Sequence, residues 1–212
     1  MDFELFDAAI LCDGDYPFAP IPLGVLSSAG YVCCCDRAAV AYIGRGNNPD
    51  AIVGDGDSLP DDFKRRYSDI LHIEHEQEYN DQTKATRHCM QLGHRRIAYL
   101  GATGKREDHT IGNVSLLLYY SKELGADPVM FTDYGFFMPV SGTRTFKTFP
   151  NQQVSIFNFS CHKIKSTGLR WDTYAFESWW QGTLNEAVGD SITLETDGDA
   201  VVYFTYKAKG DD

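Results

Sequence analysis

What most constrains the fold of this chain is a change of rhythm near Thr132. Before it, short apolar runs alternate with helix-length amphipathic stretches; after it, aromatic and β-branched runs are broken by Gly, Pro, Asn and Asp, with no helical period. The first pattern is that of a doubly wound, mostly parallel sheet, because each parallel strand must be followed by a crossover before the next can pair. The second is that of an antiparallel β domain. The expectation is an α/β domain over 1–132 followed by an antiparallel β-sandwich domain over 133–212.

Within the first part the apolar runs predict strands at 8–12, 31–35, 51–53, 70–73, 97–100 and 129–132. Helices are predicted around 22–28, 38–43, 60–67, 82–92 and 109–124, the last marked by Ile111, Val114, Leu117 and Leu118 at helical spacing. In the second part strands are predicted at 143–148, 154–159, 169–174, 191–196 and 200–206, with Asp197, Gly198 and Asp199 reading as a hairpin between the last two.

Composition narrows the function classes. With 43% hydrophobic and 13% aromatic residues the chain can bury a sizeable core. Its 19 Lys and Arg stand against 30 Asp and Glu, a net charge of -11, so no general field draws it to nucleic acid or an anionic membrane. Acids at Asp2, Glu4 and Asp7 occupy the place where a secretory signal needs positive charge, and no apolar run reaches spanning length. A cytoplasmic location is expected. Three of the six cysteines are consecutive, Cys33 to Cys35, and none forms a CxxC pair, which fits small buried hydrophobes rather than zinc ligands or disulfides. His72, Glu74, His75 and Glu76 lack the helical spacing of a zincin motif and read as strand-end and surface residues.

Ligands of open parallel sheets bind beyond the carboxyl ends of the strands, so the residues just after each strand matter most. Acids crowd there: Asp13 and Asp15, Asp36, Asp55 and Asp57, and Asp81. Converging carboxylates repel unless a cation shares the site, and hard oxygens at i and i+2 suit magnesium. Asp and Gly are also turn residues, so the loop Asp55, Gly56, Asp57, Ser58 alone reads as a turn ahead of a metal site. The run Gly101 to His109, between a strand and the strongest helix, offers glycines, a helix N-terminus, Lys105 and Arg106 to a phosphate; it is too short between its glycines for a Walker A loop, and it also reads as a turn capped by Asp108. Asn80 to Lys84 opens a helix on which Lys84, Arg87 and His88 share a face, readable as a metal ligand beside a phosphate-facing stripe or as a capped solvated helix.

Taken together these segments resemble the thiamine pyrophosphokinase family over most of the chain. ILCDGDYP at 10–17 and CDRAA at 35–39 lie where the family has glycine-rich loops; PDAIVGDGDS at 49–58 resembles P-D-x-I-x-G-D-x-D-S; Asn80 to Thr83 resembles Q-D-x-T-D; GKREDH at 104–109 resembles G-x-R-x-D-H; TGLRW at 167–171 and GTLNE at 182–186 resemble T-G-L-K-W and G-T-S-N-E. The resemblance implies transfer of the terminal pyrophosphate of ATP to the hydroxyethyl oxygen of thiamine, with attack on the β-phosphorus and release of AMP. It implies Mg2+ on Asp55, Asp57 and Asp81, and catalytic roles for Asp57, Asp81, Arg106 and Asp108. It implies an ATP side formed by Asp36, Ser58, Thr83, Lys84, Gly104, Lys105, Arg106 and His109, a thiamine side at Trp171 and Asn185, and a homodimer whose active site is shared between subunits.

Four positions depart from the family pattern: Lys84 stands where an aspartate is usual, Arg37 and Ala38 replace glycines, and Leu184 replaces a serine. Lys84 either weakens metal binding or becomes a phosphate contact. The alternatives to the kinase are a non-catalytic thiamine- or nucleotide-binding protein on the same fold and a pyrophosphokinase for a related alcohol.

Overall fold

The computed structural model describes residues 3 and 5–210; Asp2 and Glu4 and the last two residues of the expected second domain lie outside the described residues. Two compact units meet in sequence at Asp133 and Tyr134. No helix among the described residues is long and apolar enough to cross a membrane.

In the first unit β1 (Ala8–Leu11), α1 (Pro20–Ser28), β2 (Val32–Cys35), α2 (Ala38–Ile43), β3 (Ala51–Gly54), α3 (Asp61–Arg66), β4 (Leu71–Ile73), α4 (Asp81–Gln91), β5 (Arg96–Leu100), α5 (Glu107–Lys122) and β6 (Asp127–Phe131) follow one another. The strands lie in the order β6-β5-β1-β2-β3-β4 and every pair is parallel. Strands buried on both faces should be continuously apolar, and AAIL, VCCC and AIVG are buried at every position. Fully buried Ile10, Ile52, Ile97 and Leu100 each contribute about 1.5–3 kcal/mol of transfer free energy to this core.

Burial explains the cysteines. All six are buried free thiols. A hydrogen bond with Cys89 and then burial push the Cys33 thiol up, and a hydrogen bond with Cys12 and then burial do the same for Cys35. No nucleophilic thiolate is prepared there.

Local chemistry sets the helix ends. Pro20 opens α1, where its missing N–H costs nothing, and Asp133 Oδ1 accepts the Phe18 and Ala19 N–H groups at 2.8 and 2.7 Å just before it. Asn80 caps α4 by accepting from Thr83 N–H at 3.0 Å. Of the two readings of this segment, the cap by Asp108 does not form: Arg106 is the N-cap residue, with no side-chain cap, and Asp108 sits in the first turn, where its charge suits the helix dipole. Of the apolar stripe Ile111, Val114, Leu117 and Leu118, only Leu117 is buried. Ile111 is 54% exposed, and Leu117 and Tyr120 carry the burial, on the side from which Asn113 Nδ2 reaches Ala102 O at 2.8 Å.

The second unit contains β7 (Gly135–Lys147), β8 (Gln152–Asn158), β9 (Ile164–Thr167), a 3-10 turn (Trp179–Gly182), β10 (Asn185–Glu186) and β11 (Ser191–Ala208). All of its pairings are antiparallel. The hairpin expected at Asp197 to Asp199 does not exist, because β11 runs through it as one strand with a register shift between Glu195 and Asp199. This is a β-bulge. Asp197 Oδ1 accepts the His162 and Lys163 N–H groups at 2.9 and 2.8 Å, so its carboxylate holds a neighbouring loop instead of closing a turn.

Before the bulge β11 pairs with β7 and β9; after it, with β7 and β8. Phe146, paired near the start of β11, packs its ring 5.2 Å from that of Phe204, near the end, so the two halves face one another as sandwich layers. The strand expected at 169–174 is absent: Leu169 makes only an isolated bridge with Ala187, and the ladder partner of this region is β9, just before it.

Candidate active site

In the first unit the strand order reverses between β1 and β5, because β2 to β4 extend to one side of β1 and β5 and β6 to the other. Such a switch point opens a crevice at the carboxyl ends of the two strands. A cleft of about 420 Å³ lies there, lined by residues following β1, β2 and β5 and by the start of α4.

The loops after β1 and β5 are laced together: Cys12 N–H donates to Leu100 O at 2.8 Å, Gly14 N–H to Gly101 O at 2.7 Å and Asp15 N–H to Thr103 O at 2.9 Å. A Cβ on Gly14 would lie 2.3 Å from both Gly101 O and Thr103 O. Glycine there permits one protein loop to approach another.

Across the cleft, Asp36 follows β2 and is 6% exposed. Ser58 Oγ donates a short hydrogen bond to Asp36 Oδ2, while Asp36 Oδ1 is buried with no hydrogen-bond partner among the described residues. Asp36 and Asp81 both crowd Gly54, the last residue of β3: a Cβ there would lie 2.8 Å from Asp36 Cβ and 3.3 Å from Asp81 Cγ. Burial is the largest influence on the Asp81 carboxyl and pushes it up; the Lys84 ammonium pulls it down, and the Asp36 and Asp55 carboxylates push it up again. Three acids from three loops therefore share one electrostatic environment.

The basic side of the cleft comes from the loop after β5. Lys105, in the left-handed region at φ 57, places Nζ 2.8 Å from Asp13 O and 3.0 Å from Asp13 Oδ1. Arg106 makes a two-pronged pair with Asp108, Nε to Oδ1 at 3.1 Å and a second nitrogen to Oδ2 at 2.5 Å. That pair holds the exposed Asp108 carboxyl below its ordinary range.

The residues singled out in sequence fall into four places. Asp36, Ser58, Asp81, Gly104, Lys105, Arg106 and His109 line the cleft. Thr83, Asp108 and His109 line a second groove of about 430 Å³, which shares Asn80, His109 and Asn113 with the first. Asp55, Asp57 and Lys84 stand outside both linings. Asp57 is exposed and donates its N–H to Asp55 Oδ1 at 3.0 Å, whereas Lys84 is 2% exposed and lies on Asp81. Of the stripe on α4, Arg87 stacks 3.7 Å from the Tyr79 ring centre and His88 pairs with Tyr31 Oη at 3.0 Å, so neither joins Lys84 toward the cleft.

In the second unit, Trp171 is 50% exposed and Asn185 is buried. Asn185 Oδ1 accepts from Trp171 N–H at 3.2 Å and its Nδ2 donates to Trp171 O at 2.9 Å, so the amide clamps the backbone that carries the indole. Beneath it Glu186 is paired with Arg170 at 2.6 Å and Lys209 at 2.8 Å.

Sequence reasoning missed Asn80 and Asn113, whose side chains join at 3.1 Å, and Gln82, which is 3% exposed and lines the cleft. In sequence Asn80 reads as a cap and as part of the Asn80 to Thr83 resemblance, but not as a residue lining both grooves. A buried glutamine at the start of an amphipathic helix was the available signal for Gln82. Among the described residues no group of three or more His, Cys, Asp or Glu side chains is arranged as a ready metal cage.

Two family models match this chain in sequence order, the thiamin pyrophosphokinase catalytic domain over 24–126 and its substrate-binding domain over 135–203. The chain belongs to the thiamin pyrophosphokinase family. The catalytic-domain match contains most of the cleft just described, and the substrate-binding match contains Trp171 and Asn185.

Solved members of the family have the same fold. The structure is similar to thiamine pyrophosphokinase from Bacillus subtilis, with TM-score 0.77 and 18% identity over 95% of this chain and 99% of that one. It is similar to the Candida albicans enzyme, with TM-score 0.77 and 17% identity over 94% and 89%, and to that of Geobacillus thermodenitrificans, with TM-score 0.76 and 21% identity over 97% and 99%. Comparison with curated protein sequences gives no significant match. At these identities the thiamin pyrophosphokinase fold is retained while most side chains have changed.

Proposed function

We propose that the chain transfers pyrophosphate from ATP to the hydroxyl of thiamine in a magnesium-dependent reaction, giving thiamine diphosphate and AMP. The observation that carries this reading is the meeting, in one switch-point cleft, of Asp36 and Asp81 with the Lys105 and Arg106 loop. Transfer of a phosphoryl group needs charge neutralisation and in-line positioning more than covalent chemistry, and a cleft with acids on one wall and cations on the other offers both.

The acids fit magnesium. They are hard oxygen donors, and the buried Asp36 Oδ1 has no hydrogen-bond partner among the described residues. Magnesium is commonly held by one or two carboxylates together with substrate phosphates, which suits a site without an all-protein cage. Asp55 and Asp81 would hold it beside Asp36, with the exposed Asp57 completing the set from the solvent side. When bound it would neutralise charge on the transferred group.

Arg106 and Lys105 serve the phosphate oxygens, and Asp108 keeps the Arg106 fork oriented through its two hydrogen bonds. Ser58 fixes the Asp36 rotamer. Thr83, bonded to Asn80 Oδ1 and Tyr120 Oη, both at 2.8 Å, fixes the start of α4 and with it Asp81. His109 lines both grooves and suits the nucleoside side. The exposed Trp171 indole, steadied by Asn185, offers a cation–π face to the thiazolium of thiamine. The family resemblance supports a homodimer with the active site shared between subunits, and the free buried cysteines support a cytoplasmic location.

Product analysis tests the reaction type. Equal amounts of AMP and thiamine diphosphate are expected from ATP and thiamine; ADP with thiamine monophosphate would place the attack on the γ-phosphorus and refute the reading.

A further inference from the structure

Asn113, on α5, makes one hydrogen bond toward each wall of the cleft. Its Nδ2 donates to Ala102 O at 2.8 Å, at the start of the loop that carries Lys105 and Arg106. Its Oδ1 accepts from Asn80 Nδ2 at 3.1 Å, and Asn80 immediately precedes Asp81. A carbonyl can only accept, so Ala102 fixes which way the amide points, and the two bonds use its donor and its acceptor at once. Tyr120 lies two helical turns further along α5, on the same face, and its Oη meets Thr83 Oγ1 at 2.8 Å. Thr83 in turn donates its N–H and its hydroxyl to Asn80 Oδ1 at 3.0 and 2.8 Å. One face of α5 therefore grips the start of α4 at two points and the basic loop at one. Asn80 and Asn113 line both grooves, so their amide pair stands at the boundary between them.

We propose that Asn113 is a positioning residue of this site: its amide is a crosspiece that sets the span between Asp81 and the loop of Lys105 and Arg106, so that both walls meet the transferred group together. This rests on reading the cleft as a pyrophosphoryl-transfer site. Such a transfer depends on in-line placement, and a misplacement of about 1 Å caused by a remote change costs about 10²-fold in rate. Among the described residues Lys105 pairs with Asp13 and Arg106 with Asp108, so neither cation holds Asp81 directly, and the Asn113 amide links the two segments. The chemistry calls for an amide. An aspartate would turn a carboxylate oxygen toward the Ala102 carbonyl, and a hydrophobe would leave Ala102 O without its donor.

The test combines AMP-release kinetics, ATP affinity by calorimetry and amide hydrogen exchange by NMR, all on the full chain. Asn113→Ala is expected to lower kcat by ~10²-fold while ATP binds with unchanged affinity. Exchange is expected to quicken at Gly14 and Asp15, whose N–H groups are held by Gly101 O and Thr103 O of the basic loop, and at Thr83 and Lys84, whose N–H groups are held by Asn80. Should Asn113→Ala not fold, Asn80→Ser carries the test, because serine still caps α4 but cannot reach Asn113; a smaller loss in kcat is expected, since the Ala102 bond survives. The double variant is expected to be no worse than Asn113→Ala, as for two parts of one bridge. Unchanged kcat, a loss confined to ATP affinity, or kcat losses that multiply in the double variant overturns the proposal. Absence of AMP in wild type refutes the proposed reaction instead, and exchange then judges the crosspiece alone: quicker exchange at both sets of amides supports it, and unchanged exchange overturns it.

Discussion

Asp36 packs against Gly54 so closely that a single added methyl on the glycine would lie 2.8 Å from Asp36 Cβ. The end of β3 is thus the floor on which the carboxylates of two other loops rest. Gly54→Ala is expected to displace Asp36 and to destabilise the first unit by about 1–3 kcal/mol, the usual cost of overpacking. Turnover should fall much further than stability. Thermal melting and AMP release on the same sample check this, and an active Gly54→Ala enzyme would remove Asp36 from the site.

Arg106 is free to reach a phosphate, since its guanidinium is exposed and, among the described residues, paired with Asp108. Arg106→Ala is expected to lower kcat by ~10²–10³-fold, the scale for losing one preorganised donor to transition-state charge, with melting unchanged. Asp108→Asn should give a smaller loss, because it loosens the fork without removing it. Steady-state kinetics separate the two. Equal losses would assign Asp108 a direct role.

Glu186 is buried between Arg170 and Lys209, and these partners, Lys209 first, hold its carboxyl below the ordinary value of 4.5. A carboxylate with a depressed folded-state pKa stabilises the fold above its unfolded pKa, and that contribution is lost as the pH falls through the folded value. Glu186→Gln should therefore lower Tm at neutral pH, with the difference from wild type closing below about pH 4.5. Melting curves across that range check the sign; a gap that widens in acid would contradict it.

Leu184 adopts a left-handed conformation, φ 63, with a side chain that is 62% exposed. That region costs a leucine roughly 1–2 kcal/mol, and asparagine tolerates it better. Leu184→Asn is expected to stabilise the second unit by about 0.5–1 kcal/mol. Chemical denaturation measures this. A neutral or destabilising result would mean that the leucine side chain makes compensating contacts.

Much of this was legible in the sequence. The parallel half follows from apolar runs flanked by helical periods, and the acids after β1, β2 and β3 could be placed on one rim because strand ends converge by topology. What sequence could not show was direction. Asp197 and Asp199 carry a hairpin signal, but the Asp197 carboxylate finds the His162 and Lys163 amides, and a bulge lets β11 continue. Ile111 fits a helical stripe, yet the inward face of α5 is chosen by Asn113 reaching Ala102 O and by Leu117 and Tyr120. Lys84 read as either a weakened metal site or a phosphate contact; its burial against Asp81 is a tertiary fact that no local spacing encodes.

The reaction itself is tested most directly by AMP formation from ATP in the presence and absence of thiamine and of Mg2+. AMP is expected only when ATP, thiamine and Mg2+ are all present, with loss of turnover in Asp81→Asn. Thiamine binding with no AMP formed under those conditions would contradict the account and leave a binding protein on a kinase fold.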